Sequence, residues 1–348
     1  MNDGAPAAPP RRSGVAWGTW PDHLVALRPL LWIPAIALFE AGRAEGGGTW
    51  WPSLAALPAL VSLLSILSAV HLANGWNDRA GDRLNRKGVG LASGALRGRT
   101  VAVMGGVLLL LALVSGACLI VSSGARLALL AALGLGAAYV TPPLEWKRRP
   151  GLDLLAQAAG YGVVAFLLGA ESSPSAGTKS LSPLERAIPY AFGIATVGLI
   201  TMLADREGDE AVGQRTTVVT LGRRSAVSLT LGLAAATSIA GLASGAWTPG
   251  LWGILALAAV ALFAPPEGGA PGDGDGDRER ARWNRIAVAL QITFVLLLVT
   301  RALLPFVAAS VLGVAAAAHD RHRGGHGYPV RGETRRERGS IRREARRR

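Results

Sequence analysis

The chain has 348 residues and a formal net charge of +13; 50% of its residues are hydrophobic and only 17% are charged. Soluble domains carry about 25% charged residues, and here the apolar residues form runs near or above the roughly 18 that indicate a membrane-spanning helix. The composition therefore excludes an ordinary soluble domain and predicts an all-α, polytopic membrane helix bundle. Cys118 is the single cysteine and lies in an apolar run, so a disulfide framework and a cysteine-based zinc site are also excluded.

The apolar runs predict about nine transmembrane helices. The first four lie at residues 24–38, 51–73, 100–121 and 126–140. The next four lie at residues 152–169, 186–204, 225–242 and 251–263. The ninth run, residues 286–318, is interrupted at Arg301 and Pro305 and is either one tilted helix or two short ones.

The two ends of the chain differ from its apolar middle. Residues 1–21 are rich in Pro, Ala and Arg, and residues 319–348 are mostly Arg, Gly, His and Glu. Such compositions cannot bury a core, so we expect a membrane domain at residues 22–318 between a disordered N-terminus and a disordered basic tail. Beside a membrane, the tail is expected to contact anionic lipid rather than a specific nucleic acid, or to act only as a topology anchor.

Positive charge predicts the orientation. The connections after the second, fourth, sixth and eighth helices carry most of the basic residues of the membrane domain. The positive-inside rule therefore places these connections and the N-terminus in the cytoplasm, in a bacterial-type cytoplasmic membrane with the active site facing inward. Nine helices would put the basic tail outside, against the same rule. A tenth short span after the break at residues 301–305, or a last helix that returns to the interface, would remove the conflict.

Two acidic motifs stand at the cytoplasmic ends of the second and sixth predicted helices. In the first, Asp78 and Asp82 are four residues apart, with Asn74 one turn earlier; in the second, Asp205 and Asp209 repeat the spacing. On a helix this spacing puts both carboxylates on one face. A single pair is often a set of salt bridges with neighbouring arginines, but two pairs at matching helix ends favour a shared site.

Carboxylates near a membrane are costly unless they are neutralised. Mg²⁺ prefers oxygen ligands and typically binds one or two carboxylates together with substrate phosphates. The motifs therefore predict Mg²⁺ ions that bridge the four aspartates to a diphosphate. Four basic residues are expected to bind the remaining phosphate oxygens: Arg28, Lys147, Arg148 and Arg215.

These residues resemble the motifs of the UbiA-type intramembrane prenyltransferase family. The first family motif is similar to the stretch that contains Asn74, Asp78, Asp82, Asn85 and Ser93-Gly94. The second is similar to the stretch that contains Asp205, Gly208, Asp209, Gly213, Thr216 and Leu221-Gly222. Residues 139–148, which begin with Tyr139, and residues 27–29 are also similar to family segments, and the resemblance spans about residues 22–300.

The resemblance implies a fold, an activity and a cofactor. The fold is a bundle of about nine helices around a central cavity, which Asp-rich loops cap on the cytoplasmic side. The activity is transfer of a prenyl group from an allylic polyprenyl diphosphate to a small acceptor, an aromatic, quinone or tetrapyrrole precursor, with Mg²⁺ as cofactor. Two departures concern the first motif: Gly75 replaces the usual Asp or Gln, and Val89 replaces an Arg that many members carry. The metal-facing positions are retained, so we expect activity; a weak or inactive member is the alternative.

In the expected reaction, Mg²⁺ and the basic side chains stabilise the departing diphosphate, and apolar helices keep water from the allylic cation. Asn74 is assigned to metal or phosphate contact. Tyr139 either positions the diphosphate and shields the cation or is an interface aromatic, and Arg28 either binds phosphate or snorkels at a helix end. His71, one turn before Asn74, is expected to be a structural polar residue rather than the catalytic base.

Two other classes of membrane protein fit part of this pattern. A CDP-alcohol phosphotransferase also binds metal through aspartates at the membrane surface, but it carries them in one contiguous motif that this sequence lacks. An ion-coupled transporter usually places its charges in broken helices at mid-membrane, whereas here they stand at helix ends. Both patterns fit the sequence less well than a prenyltransferase.

Overall fold

The computed structural model describes residues 20–48, 54–84, 91, 96–119, 122–173, 181–265 and 275–299, and within them all regular structure is helical. The first helix, α1, is broken: it consists of Trp20–Ala26, a 3₁₀ turn at Pro29–Leu31, and Trp32–Glu45. The others are α2 Leu57–Leu84, α3 Gly98–Val114, α4 Ser123–Val140, α5 Leu152–Glu171, α6 Pro183–Ala211, α7 Thr217–Ala243, α8 Trp247–Phe263 and α9 Asp275–Val299. Two π-helical stretches occur, Ser115–Leu119 after α3 and Ala158–Val164 within α5.

The prediction of an all-α, polytopic membrane fold is confirmed. Helices α1 to α7 are each long and apolar enough to cross a membrane, and α8 is a shorter apolar helix. The helices follow the predicted order along the described part of the chain. The tail, the break at residues 301–305 and nearly all of the N-terminal segment lie outside the described residues, so the span count and the disordered ends stay predictions.

The acidic motifs lie in helices, not in the cap loops that the sequence suggested. Helix α2 continues to Leu84 and α6 to Ala211, whereas the predicted helices end at residues 73 and 204. Polar residues beyond the apolar span can continue a helix, because its backbone hydrogen bonds do not depend on burial. Helix α6 ends where Gly213 adopts a φ of 74°, a left-handed conformation that glycine adopts without the steric cost of a Cβ atom.

The break in α1 is a second difference, since the sequence suggested one continuous helix at residues 24–38. Pro29 has no N–H group and disfavours the right-handed helical conformation of the residue before it. Arg28 accordingly adopts φ 52° and ψ 55°, a left-handed conformation that costs a residue with a Cβ atom about 1–2 kcal/mol. The chain changes direction there, and the Arg28 side chain leaves the helix at the break.

Contacts between connections define two ends of the bundle. At one end, which we call the site end, Lys147 before α5 contacts Asp78 of α2, and Asp153 at the start of α5 contacts Thr217 at the start of α7. At the opposite end, Arg186 of α6 bonds to the carbonyl of Glu45, 2.8 Å away. The helices therefore alternate in direction, and the two acidic motifs share the site end.

Helices α1 and α5 cross at very short range through two glycines. A Cβ atom on Gly42 would fall on the carbonyl oxygen of Phe166, and one on Gly169 would fall on the carbonyl oxygen of Phe39. Small residues allow such close backbone approach between membrane helices, where dispersion contacts rather than water exclusion drive packing. This crossing holds α1, and with it Arg28, against the rest of the bundle.

Substitution of Gly42 by Ala should destabilise the protein by about 1–3 kcal/mol, because the added methyl group has no space and the backbones must separate. Gly105→Ala is the matched control, since a Cβ atom at Gly105 of α3 meets nothing within 4 Å. Thermal unfolding of the purified proteins in detergent measures both. Equal loss of stability in the two variants would contradict the assignment of the crossing.

Candidate functional site

The first acidic motif is neutralised by a buried lysine. The Nζ atom of Lys147 donates to Asp78 Oδ1 at 2.6 Å and to Asn74 Oδ1 at 3.0 Å. Asn74 and Asp78 are one helical turn apart and present their oxygens on one face of α2, so a single ammonium group reaches both. The Lys147 side chain is only 2% exposed, and a charge this deeply buried needs such partners.

Arg28 performs the same role one turn further along α2. Its Nη2 atom lies 3.1 Å from Asp82 Oδ2, and the two side chains are 28% and 16% exposed. The break in α1 aims the guanidinium at the end of α2, which a residue inside a continuous helix would not reach. Both carboxylates stand at the C-terminal end of α2, where the helix dipole disfavours negative charge, so the cations offset an unfavourable position.

The side chains of Arg148 and Arg215 are more exposed than those of Lys147 and Arg28. Arg148 is 4.0 Å from Asp78 and 3.8 Å from Glu145, and 38% of its side chain is exposed. Arg148 is therefore at the edge of the first motif. Arg215 is exposed in the turn between α6 and α7 and contacts no charged partner within the described ranges, so the structure does not bring it to the first motif.

The second acidic motif occupies the last two turns of α6. Asp205 and Asp209 are both partly buried, and they share one face of the helix by their spacing. Between them, Glu207 lies 3.7 Å from Arg280 of α9. Helix α9 thus packs against the acidic end of α6 on a side different from that of the paired aspartates.

Tyr139 connects the two motifs. It stands at the end of α4, is hydrogen-bonded to Gln157 of α5, and is close enough to Asp78 and Asp209 to interact electrostatically with both. One side chain therefore lies within reach of an aspartate from each motif. Asn77 adds a further link, because its Nδ2 atom donates to the carbonyl oxygen of Val140 at 3.1 Å, which fixes the end of α2 against the end of α4.

Sequence reasoning missed Asp153 and Thr217, which join α5 to α7. Asp153 is 1% exposed and Thr217 is 4% exposed. The Asp153 carboxylate accepts hydrogen bonds from the backbone N–H of Thr217 at 2.6 Å and from its hydroxyl group, while that hydroxyl accepts from the N–H of Gly151 at 2.7 Å. The sequence signal for this junction is a single acidic residue in an apolar run, and that residue belongs to no carboxylate pair.

Gly75, which stands where the family usually has Asp or Gln, lies close to Leu91 and Arg28. A Cβ atom there would lie 2.8 Å from Leu91 Cδ1 and 3.5 Å from Arg28 Nη2. The missing side chain thus leaves the Arg28 guanidinium close to the backbone of α2. An Asp or Gln at this position would compete with Asp82 for the same guanidinium.

The donor set fits a hard divalent cation, although the described residues contain no group of three His, Cys, Asp or Glu side chains close enough to bind one ion. Mg²⁺ typically needs only one or two protein carboxylates, because water and substrate phosphates complete its coordination. The oxygens of Asn74 and Asp78 are ligands of the right hardness and face one point. Lys147 occupies that point as the neutralising cation.

Comparison with known proteins agrees with these features. The model of the UbiA prenyltransferase family matches residues 31–265. The bacteriochlorophyll synthase 33 kDa chain of Cereibacter sphaeroides is 28% identical over 222 residues, which cover 59% of this chain and 68% of that protein.

Solved structures show the same fold. A UbiA homologue from Archaeoglobus fulgidus bound to DMAPP and Mg²⁺ has a TM-score of 0.58 at 21% identity, covering 80% of this chain and 99% of that one. An apo UbiA homologue from Aeropyrum pernix K1 has a TM-score of 0.54 at 18% identity, covering 78% and 98%. At such identities the likeness establishes the fold alone.

Asp153→Asn should destabilise the junction of α5 and α7 by about 1–3 kcal/mol, because a buried N–H group of Thr217 would lose a charged acceptor. Thr217→Ser is the control, since it keeps the hydroxyl group that Asp153 and Gly151 share. Unfolding midpoints in detergent test the pair. An Asp153→Asn midpoint equal to that of the unsubstituted protein would show that the junction does not depend on this carboxylate.

Proposed function

From the premise that the chain belongs to the UbiA prenyltransferase family and is a membrane prenyltransferase, we propose that it binds an allylic polyprenyl diphosphate through Mg²⁺ and transfers the prenyl group to a ring-bearing acceptor. Four aspartates would hold the metal: Asp78, Asp82, Asp205 and Asp209. The observation that carries the proposal is the site end itself, where Tyr139 lies within electrostatic reach of one aspartate from each motif.

Family membership also decides between the classes considered from sequence. A prenyltransferase accounts for both the matched length, residues 31–265, and the two separated aspartate pairs. A CDP-alcohol phosphotransferase or a transporter accounts for neither.

The basic side chains are placed to bind the leaving group. Lys147 and Arg28 each hold a carboxylate of the first motif, so both can turn from those carboxylates to phosphate oxygens when substrate and metal neutralise the aspartates. Arg148, at the edge of the motif, adds a third cation. Such preorganised charges stabilise the negative charge that develops on the diphosphate oxygens as the bond to C1 breaks. When bound, Mg²⁺ would supply the same electrostatic stabilisation with greater local charge.

The allylic cation must then meet the acceptor before it meets water. The helices that carry the site are apolar, and the aromatic side chain of Tyr139 interacts electrostatically with an aspartate of each acidic motif. The face of such a ring is electron-rich and attracts cations. We therefore assign Tyr139 to positioning of the diphosphate and shielding of the cation.

The acceptor class is proposed from the relatives. The sequence relative is named for bacteriochlorophyll synthesis, and one structural neighbour is a digeranylgeranylglyceryl phosphate synthase with a TM-score of 0.55. We favour an electron-rich aromatic, quinone or tetrapyrrole precursor, because bacteriochlorophyll, for which this sequence relative is named, is a tetrapyrrole. We propose that the site end faces the cytoplasm; the positive charge of the connections at that end supports this orientation.

Asp78→Asn and Asp209→Asn should each lower prenyl transfer by about 100-fold or more, because each removes a charge that Mg²⁺ requires. Glu210→Gln is the control: Glu210 follows Asp209 directly but its side chain is 62% exposed and pairs only weakly with Arg206, at 3.9 Å. Mg²⁺-dependent release of diphosphate from geranyl diphosphate, measured in proteoliposomes, reports the activity. Wild-type rates in both aspartate variants would rule out the metal assignment.

Lys147→Gln should slow diphosphate release by about 10²- to 10³-fold, the typical cost of removing one preorganised donor. Arg148→Gln should have a smaller effect, because Arg148 lies 4.0 Å from Asp78 and is more exposed. The two variants are compared in the same assay across Mg²⁺ concentrations. A larger defect in Arg148→Gln than in Lys147→Gln would contradict the order of the two cations.

A further inference from the structure

A second polar pair lies deeper in the bundle than the acidic motifs. His71 stands on α2 one turn before Asn74, toward the apolar part of the helix. Its Nε2 atom is 2.7 Å from the hydroxyl oxygen of Tyr161 on α5, and the ring centroids are 6.4 Å apart. The pair therefore joins two membrane-spanning helices at a level where polar groups are rare and commonly functional.

The pair lies in the interior of the bundle but is not fully buried. His71 and Tyr161 are surrounded by protein atoms, yet each keeps part of its surface accessible, as does Tyr139 nearby. Among the described residues His71 makes no hydrogen bond other than that to Tyr161, so its Nδ1 atom has no protein partner there. A partly accessible group with unused hydrogen-bonding capacity can bind a ligand.

The backbone of α5 is shaped around Tyr161. The residue lies at the centre of the π-helical stretch Ala158–Val164, and π-helical turns inside α-helices are frequent at functional sites. Gly162, the next residue, packs so closely on α6 that a Cβ atom would lie 2.5 Å from the Cα atom of Ala191. The π-helical stretch thus packs against α6 through Gly162, while the Tyr161 hydroxyl contacts His71 of α2.

We propose that His71 and Tyr161 form the subsite that binds an O–H group of the acceptor. The inference rests on the proposed prenyl transfer and names the substrate class, an acceptor with a phenolic, enolic or carboxylic O–H. With the imidazole proton on Nε2 and donated to the Tyr161 oxygen, Nδ1 accepts a hydrogen bond and the Tyr161 hydroxyl remains a donor. The subsite then offers one acceptor and one donor to the substrate oxygens.

The transfer step balances on these atoms. The bond between C1 and the diphosphate oxygen breaks, and its electron pair leaves with the diphosphate. The acceptor oxygen, or the ring carbon that it activates, forms the new bond to C1. The acceptor proton, held in its hydrogen bond to Nδ1 of His71, passes to an oxygen of the departed diphosphate, whose negative charge makes that oxygen the base. Arg28 interacts electrostatically with both His71 and Tyr161 and also contacts Asp82, so it links this subsite to the first acidic motif.

The experiment separates the subsite from the diphosphate site. The protein is placed in lipid nanodiscs and loaded with Mg²⁺ and non-hydrolysable geranyl thiodiphosphate. It is then titrated with 2-naphthol and, separately, with 2-methoxynaphthalene, which has the same rings but no O–H group. Titration of empty nanodiscs corrects for partition of the probes into lipid. We expect 2-naphthol to bind about 10-fold more tightly, the factor that one net hydrogen bond supplies. His71→Phe and Tyr161→Phe should remove this preference while leaving geranyl thiodiphosphate affinity within about twofold, as both lack direct contact with the diphosphate.

The Asp78→Asn variant is the control for the diphosphate site. Asp78→Asn should lose geranyl thiodiphosphate binding and keep the 2-naphthol preference, the reverse of the His71 and Tyr161 variants. Tyr161→Phe removes a single oxygen and serves as the test even where His71→Phe does not fold. A 2-naphthol preference that survives Tyr161→Phe, or that is absent from the unsubstituted protein, overturns the subsite. Failure of the unsubstituted protein to bind geranyl thiodiphosphate with Mg²⁺ instead overturns the proposed function.

Discussion

The pairing of Asp78 with Lys147 is the interaction on which the site end depends. A lysine that is 2% exposed and lies 2.6 Å from a carboxylate at the end of a membrane helix is stable only while the two charges stay together, since either charge left alone would be costly to bury. The same ammonium group holds Asn74, so the α4–α5 connection is fixed to α2. Asp153 then fixes the start of α5 to the start of α7, directly after the second acidic motif.

This chain of contacts explains how residues far apart in sequence become neighbours without a ligand. Each acidic motif is carried on a rigid helix, and the connections between helices bind to one another by buried polar contacts. Arg28 is the exception, because its position depends on the break in α1 and on the glycine crossing of α1 with α5. A site on rigid elements with preformed cations would lose little conformational entropy on binding the proposed diphosphate, which suits a substrate that must be held while a bond breaks.

The sequence predicted the parts of the molecule that follow from local chemistry. Long apolar runs identify helices whatever their partners, and the repeated aspartate spacing predicts a shared site because both copies stand at matching helix ends. The sequence did not predict that the acidic motifs are helical, since polar composition suggests a loop while the backbone simply continues. Asp153 and Thr217 could not be found either, because their hydrogen bonds join residues 64 apart and neither residue belongs to a repeated pattern.

His71 shows how a structural interpretation and a functional one can begin from the same observation. A histidine within an apolar run is expected to be a satisfied interior residue, and its hydrogen bond to Tyr161 does satisfy one ring nitrogen. The other nitrogen has no hydrogen-bond partner among the described residues, and the partner tyrosine lies in a π-helical stretch that contains no proline or charged residue. Polar groups thus occur at two depths, charged at the site end and neutral one turn below. That order suits a reaction whose anionic leaving group must stay near water while its carbocation must not.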